Sequence, residues 1–359
     1  MFSPCDDGTC GCRKTVGCRG QAYSGRPGRY RGDVAEGSLD PAVAEVRRAV
    51  RAALPDSGAV IVALSGGADS LALAAATAFE SRSRGIEVIS VTVDHGLQEG
   101  SADAAARAAS TAESLGIRSQ IVRVDVESAG GPEAAARDAR HAALRAAAAR
   151  ESASVLVGHT LDDQAETVLL GLARGSGAAS LQGMAPRRED EDGTVWLRPL
   201  LGVRRQTTRA ACAASGLEFW DDPHNLDPRF TRVRVRERVL PVLETELGPG
   251  IAEALARTAE QLREDAEAFD EMIHETIEDI VEHAEAGISV SVAALAANPA
   301  ALRNRIIRLV VGSEFGVSLT RIQTLEVARL VTDWSGQGPI DLPGCVARRA
   351  GGRIVFTAR

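Results

Sequence analysis

The sequence is almost without lysine. Lys14 is the only one among 41 lysines and arginines, so the basic chemistry of this chain is arginine chemistry. A triphosphate-binding loop of the GxxxxGK[ST] kind needs a lysine that reaches the outer phosphates, and that class is excluded. Long hydrophobic runs are missing as well: no eighteen consecutive apolar residues occur, and no membrane span is expected. The opening MFSPCDDGTCGCRK has no apolar h-region, so a cytoplasmic protein is expected. Cysteine is scarce beyond that opening. Of six cysteines, four (Cys5, Cys10, Cys12 and Cys18) lie in the tail, while Cys212 and Cys345 stand alone. The tail spacing fits no pair of zinc knuckles and has no histidine beside it. A disulfide framework is not expected in a cytoplasmic chain.

What is present suits a soluble globular protein of two domains. The chain has 359 residues, long enough for two cores. A hydrophobic content of 45% with 25% charged residues is globular in kind. The net charge of −8 argues against uniform nucleic-acid binding, but its distribution counts for more. Arginines crowd 229–238 and acids crowd 244–285. Residues 1–40 are rich in Gly, Arg, Ser and Cys and read as a disordered extension.

The chain is organised around VIVALSGGADSLALAAA, residues 60–76. Val60 to Leu64 reads as a buried strand. Ser65, Gly66, Gly67, Ala68, Asp69 and Ser70 form a tight turn, and Leu71 to Ala78 a small-residue helix. Strand, glycine turn and helix present bare backbone N–H groups to an anion. The turn offers two serine hydroxyls and the Asp69 carboxylate where a P-loop would offer lysine. A carboxylate beside a phosphate cradle suits a magnesium ion.

Further strands are expected at 86–93, 121–126 and 155–158, with helices at 102–115, 133–150, 161–173 and 203–215. Ser101 is expected as an N-cap. Repeated strand–helix units imply a Rossmann-like parallel sheet wrapped by helices. Ligands bind beyond the carboxyl ends of such strands, where Ser65, Asp94 and His159 fall. Residues 219–223 read as a short strand and turn. The periodicity then predicts a long acidic helix over 250–285, helices at 292–312 and 318–332, and a terminal hairpin at 340–347 and 353–357. The division expected is a catalytic domain at 41–227 and a mainly α-helical domain at 228–359.

A second constellation lies in GHTLDDQAETVLLGLARGSG, residues 158–177. Asp163 and Glu166 are three apart on a helix and share a face. Thr160-x-x-Asp163 also reads as a capping box, and Glu166 as a solvated face. Beside a phosphate turn the pair suits magnesium.

These blocks, with VDHGLQEGS at 93–101, EAAARDARHAAL at 133–144, LRPLL at 197–201 and FTRVRVRERVLPVL at 230–243, resemble the tRNA(Ile)-lysidine synthetases in order and spacing. That family belongs to the PP-loop ATP pyrophosphatases, and the resemblance spans roughly residues 55–245. It implies an enzyme that joins free L-lysine to C2 of the wobble cytidine in the CAU anticodon of tRNA(Ile). ATP first adenylates the C2 oxygen with release of pyrophosphate; the lysine ε-amine then displaces AMP. By resemblance, Ser65 to Ser70 and His159 bind ATP, and Asp69, Asp163 and Glu166 bind Mg²⁺ and handle the amine. Arg137 offsets charge on the α-phosphate, and Arg232, Arg234 and Arg236 touch phosphate or tRNA. Val233 stands where the family often has asparagine. The length fits the short family form with one C-terminal domain; a homodimer is the assembly this reading allows. The nearest competitor, a tRNA thiolase, needs cysteines near the site. A non-catalytic RNA binder would not need the acidic trio.

Overall fold

The computed structural model describes residues 39–96, 100–124, 132–175, 177–222, 226–284 and 287–359. The expected disordered extension and the four tail cysteines lie outside the described residues, except Leu39 and Asp40. Asp40–Arg359 is one compact unit.

The first part runs α1 (Pro41–Ala53), β1 (Ala59–Ala63), α2 (Ala68–Ser81), β2 (Glu87–Asp94), α3 (Ser101–Ser114), β3 (Arg118–Arg123), α4 (Pro132–Glu151), β4 (Ala153–Leu156) and α5 (Leu161–Ala173). After it come α6 (Ala178–Leu181), the hairpin β5 (Arg187–Glu189) and β6 (Val195–Leu197), and α7 (Arg205–Ala214). The sheet order is β3-β2-β1-β4-β6-β5. The five strands from β3 to β6 are parallel, and β5 is an antiparallel edge. Order reverses between β1 and β4, so the loops leaving those strands flank a switch-point crevice.

Apolar strand residues build a core on each face. Val60, Val62 and Leu64 pack with α1, α2 and α7, while Ile61, Ile89 and Val155 pack with Leu144 and Ala147 of α4 and with Trp196. Alternation along β1 sends successive side chains to opposite cores, as a doubly covered sheet requires.

The second part holds α8 (Thr231–Arg234), a π-helical turn (Val235–Val239), α9 (Leu240–Glu246) and α10 (Ile251–Ile280). It continues with β7 (Val281–Ala284), β8 (Gly287–Ser291), α11 (Val292–Ala297), α12 (Ala300–Phe315), α13 (Arg321–Thr332), β9 (Ile340–Leu342), β10 (Cys345–Ala350) and β11 (Arg353–Ala358). An antiparallel sheet of order β7-β8-β11-β10-β9 backs the helices.

Several expectations shift. The helix expected over 250–285 stops at Ile280, and a strand follows, with no proline or glycine at the break to announce the change. The helix expected over 292–312 is divided, because Pro299 caps a new helix start after Asn298 leaves the helical region. The terminal hairpin is three strands of a five-stranded sheet. Residues 219–222 form no strand; Trp220 instead donates its backbone N–H to the Gly66 carbonyl at 2.9 Å. Gly100, not Ser101, is the N-cap of α3, and Ser101 bonds Asp94 through its side chain.

Candidate active site

The glycine turn is built as an open helix start. Gly66 sits at φ 81°, a left-handed conformation that favours glycine. Gly67 caps α2 without any side-chain hydrogen bond, so the first N–H groups of α2 stay available. Ser70 Oγ staples the turn, accepting from the Ser65 N–H at 3.2 Å and donating to the Gly67 carbonyl at 2.9 Å. Gly158 lets β4 approach closely: a Cβ there would lie 3.2 Å from the backbone of Asp69 and Ser70.

Asp163 caps its helix with one oxygen and meets an arginine with the other, where a magnesium ion was expected. Its Oδ2 accepts from the Thr160 N–H and hydroxyl at 2.8 Å, completing the capping box of α5. Its Oδ1 accepts from Arg205 at 2.6 Å. Glu166, one turn on and fully buried, accepts from Arg236 Nε at 2.7 Å and from Arg205 at 3.4 Å. Asp69 comes from α2, accepts a short hydrogen bond from the Thr208 hydroxyl, and lies 3.6 Å from Arg205 Nε. The three acids that the sequence separates by 94 and 3 positions thus meet around one guanidinium.

Arg205 is the residue sequence reasoning misses, and a signal for it exists. Arg204 and Arg205 open α7 with no acid in its first turn, the reverse of what a helix dipole favours. Such a start needs carboxylates from elsewhere. Asp162 accepts the Arg205 N–H at 2.7 Å and pairs with Arg204 at 3.4 Å.

Charge is set by this network. Burial raises the Asp69 pKa, helped by Asp163 and opposed by Thr208 and Arg205. Burial also pushes Asp163 upward, but Arg205 and the Thr160 N–H outweigh it and hold its carboxyl below the ordinary range. His159 is kept neutral, with its pKa lowered to about 4 by burial.

The remaining expected residues divide. Arg137 is exposed on α4, whereas Arg140, one turn on, is half-buried facing His95 and His159. Arg232 donates to Thr167 on α5 at 3.2 Å. Arg234 turns back on its own segment, donating to the Pro228 and Arg229 carbonyls at 2.7 and 2.8 Å. Arg236 faces Glu166 and Asp163, not an open surface.

As arranged, the acids do not fit a three-carboxylate magnesium site. Guanidinium groups engage their oxygens, and among the described residues no three His, Cys, Asp or Glu side chains form a cation-binding group.

A glycine turn of this kind at the switch point of a parallel sheet defines a PP-loop ATP-using domain, and the family model for the PP-loop domain matches residues 41–243. A second model, the TilS substrate binding domain, matches residues 291–355. The tRNA(Ile)-lysidine synthase of Leifsonia xyli is 61% identical over 300 residues, covering 83% of this chain and 89% of that protein. That of Thermobifida fusca is 50% identical, covering 89% and 98%. The chain belongs to the tRNA(Ile)-lysidine synthase family. Among solved structures, the U34-tRNA thiolase NcsA from Methanococcus maripaludis, with its [4Fe-4S] cluster, shares the fold at a TM-score of 0.54 and 21% identity, covering 62% of this chain and 80% of that one.

Proposed function

We propose that the protein ligates L-lysine to C2 of the wobble cytidine of tRNA(Ile) with a CAU anticodon, consuming ATP and releasing AMP and pyrophosphate. The observation that carries the reading is the convergence of Asp69, Asp163 and Glu166 beside an uncapped glycine turn. The N–H groups of residues 65–70 hold the ATP phosphates at the start of α2. The C2 oxygen of cytidine attacks the α-phosphate, and pyrophosphate leaves. The lysine ε-amine then adds to C2, and AMP departs with the oxygen. Ionised Asp163 is suited to hold the incoming ammonium. Asp69, whose pKa is raised, is suited to take its proton. Magnesium enters only as the ordinary counter-ion of ATP.

The division at 41–227 and 228–359 gives the second part the tRNA-binding role, with the reaction cytoplasmic and a homodimer the assembly to test. The thiolase alternative finds no support in the described cysteines. Cys212 and Cys345 are buried in separate cores. Incubation with ATP, Mg²⁺, labelled lysine and a CAU-anticodon tRNA transcript tests the reading. Label in the tRNA is expected; label that stays free overturns it.

A further inference from the structure

A second polar group, rich in arginine, lies on the α4 side of the sheet and borders the acids at Asp163. It contains Arg140, His159, Arg198 and Arg232, with His95 and Arg137 at its margin. Asp163 raises the His159 pKa while Arg198, Arg140 and Arg232 lower it, and His95 lies likewise between Arg140 and Asp94. Arg137 acts on both Arg140 and Arg198. The group is partly buried, and some of its buried atoms lack partners. Arg198 is 8% exposed; one terminal nitrogen donates to the Ala185 carbonyl at 2.7 Å, while its Nε has no partner. The buried Nδ1 atoms of His95 and His159 also have none.

The neighbouring carboxylates are already engaged. Asp163 is held by Thr160, Arg205 and Arg236. Asp190 is held by Arg145, Arg188 and the Trp196 indole. Asp94 accepts from the Gly96 N–H and bonds Ser101. Burial and repulsion from Arg188 and Arg137 lower the Arg198 pKa to about 10. Desolvated like charges with orphaned donors are costly unless a ligand supplies the counter-charge.

We propose that Arg140, Arg198 and Arg232 form a phosphate clamp for the RNA backbone beside the target nucleotide, distinct from the turn that holds ATP. The proposal rests on the RNA-modifying reading above. ATP phosphates are provided for at the glycine turn after β1. Arg198 follows β6, two strands further across the sheet, on the order of 10 Å away. Arg232 joins the clamp to the arginine-rich α8. Arginine forks match phosphate oxygens in pairs, and phosphate contacts fix the register of an RNA without reading its bases.

The test measures binding of a CAU anticodon stem-loop to the full chain and to Arg198→Gln and Arg140→Gln. Each variant is expected to weaken RNA binding by about tenfold and to reduce the salt slope by about one, with the KM for ATP unchanged. Because Arg198 is buried, a third arm needs no variant: stem-loops with neutral methylphosphonates at both phosphates flanking the target nucleotide. These should lose the same affinity on the unaltered protein, and Arg140→Gln should add nothing to that loss. Unchanged RNA affinity in these arms overturns the proposal. So does a raised KM for ATP or lysine with RNA binding intact, since the clamp would then serve nucleotide phosphate or amino-acid carboxylate. Failure of the unaltered protein to ligate lysine would instead sink the activity reading and leave the binding comparison standing.

Discussion

Arg205 pairs with acids from two helices, so its removal leaves three neighbouring carboxylates with Arg236 as their remaining arginine. Breaking a buried pair by deleting one partner costs about 3–5 kcal/mol. Arg205→Met should lose stability of that order in chemical unfolding and abolish ATP–pyrophosphate exchange. Arg205→Lys should restore little, because a point charge cannot span the acids as a planar fork does. Asp69→Asn should behave differently. Burial already disfavours its charged form, so the fold should hold while exchange falls by about 100-fold or more. His141 and His159 set a pH limit. Both are held neutral to about 4, against an ordinary 6.5. Between those values the unfolded chain binds protons that the fold refuses, so stability falls as pH drops through this window. His141 packs against Trp196 with ring centroids 4.7 Å apart and the planes tilted by 42°, and His141→Gln should flatten the acid limb of a pH–stability curve.

Elements position these residues, and β4 meeting α2 is the tightest juncture. Gly158→Ala would push a Cβ against the Asp69 and Ser70 backbone, which cannot yield like a side-chain tip. Such overpacking costs about 1–3 kcal/mol, and the KM for ATP should rise several-fold in steady-state assays. The glycine turn and α5 were legible because local chemistry dictates them: two glycines, small helix formers and a Thr160–Asp163 capping box. Strand ends were off by one to three residues because buried apolar runs do not mark where pairing starts. The RVRVR stretch carries a period of two yet folds as helix, with Val233 and Val235 buried and Arg232 and Arg236 one turn apart against α5. Tertiary ion pairs, not periodicity, decide it. The role of α7 stayed hidden because its partners lie some forty and more than a hundred positions away.

At the scale of the molecule, the two parts share a small core. Leu161 and Ala165 of α5 pack with Val235, Leu240 and Ala252. Arg263 of α10 reaches back to the Gln182 and Met184 carbonyls at 3.0 and 3.1 Å, where Gln164 also binds Met184. The helix carrying Asp163 and Glu166 is therefore braced from behind by the second part. Leu240→Ala should cost about 2–4 kcal/mol in urea unfolding and lower ligation with it. No helix among the described residues is long and apolar enough to cross a membrane.

The hydrogen bond from Trp220 to Gly66 has a practical sequel. Of three indoles, Trp196 is sealed in the core and Trp334 lies under Arg349, away in the second sheet's neighbourhood. Only the remaining one is leashed to the nucleotide bend. On the proposed site, its fluorescence should change when ATP is added, a readout that needs no label.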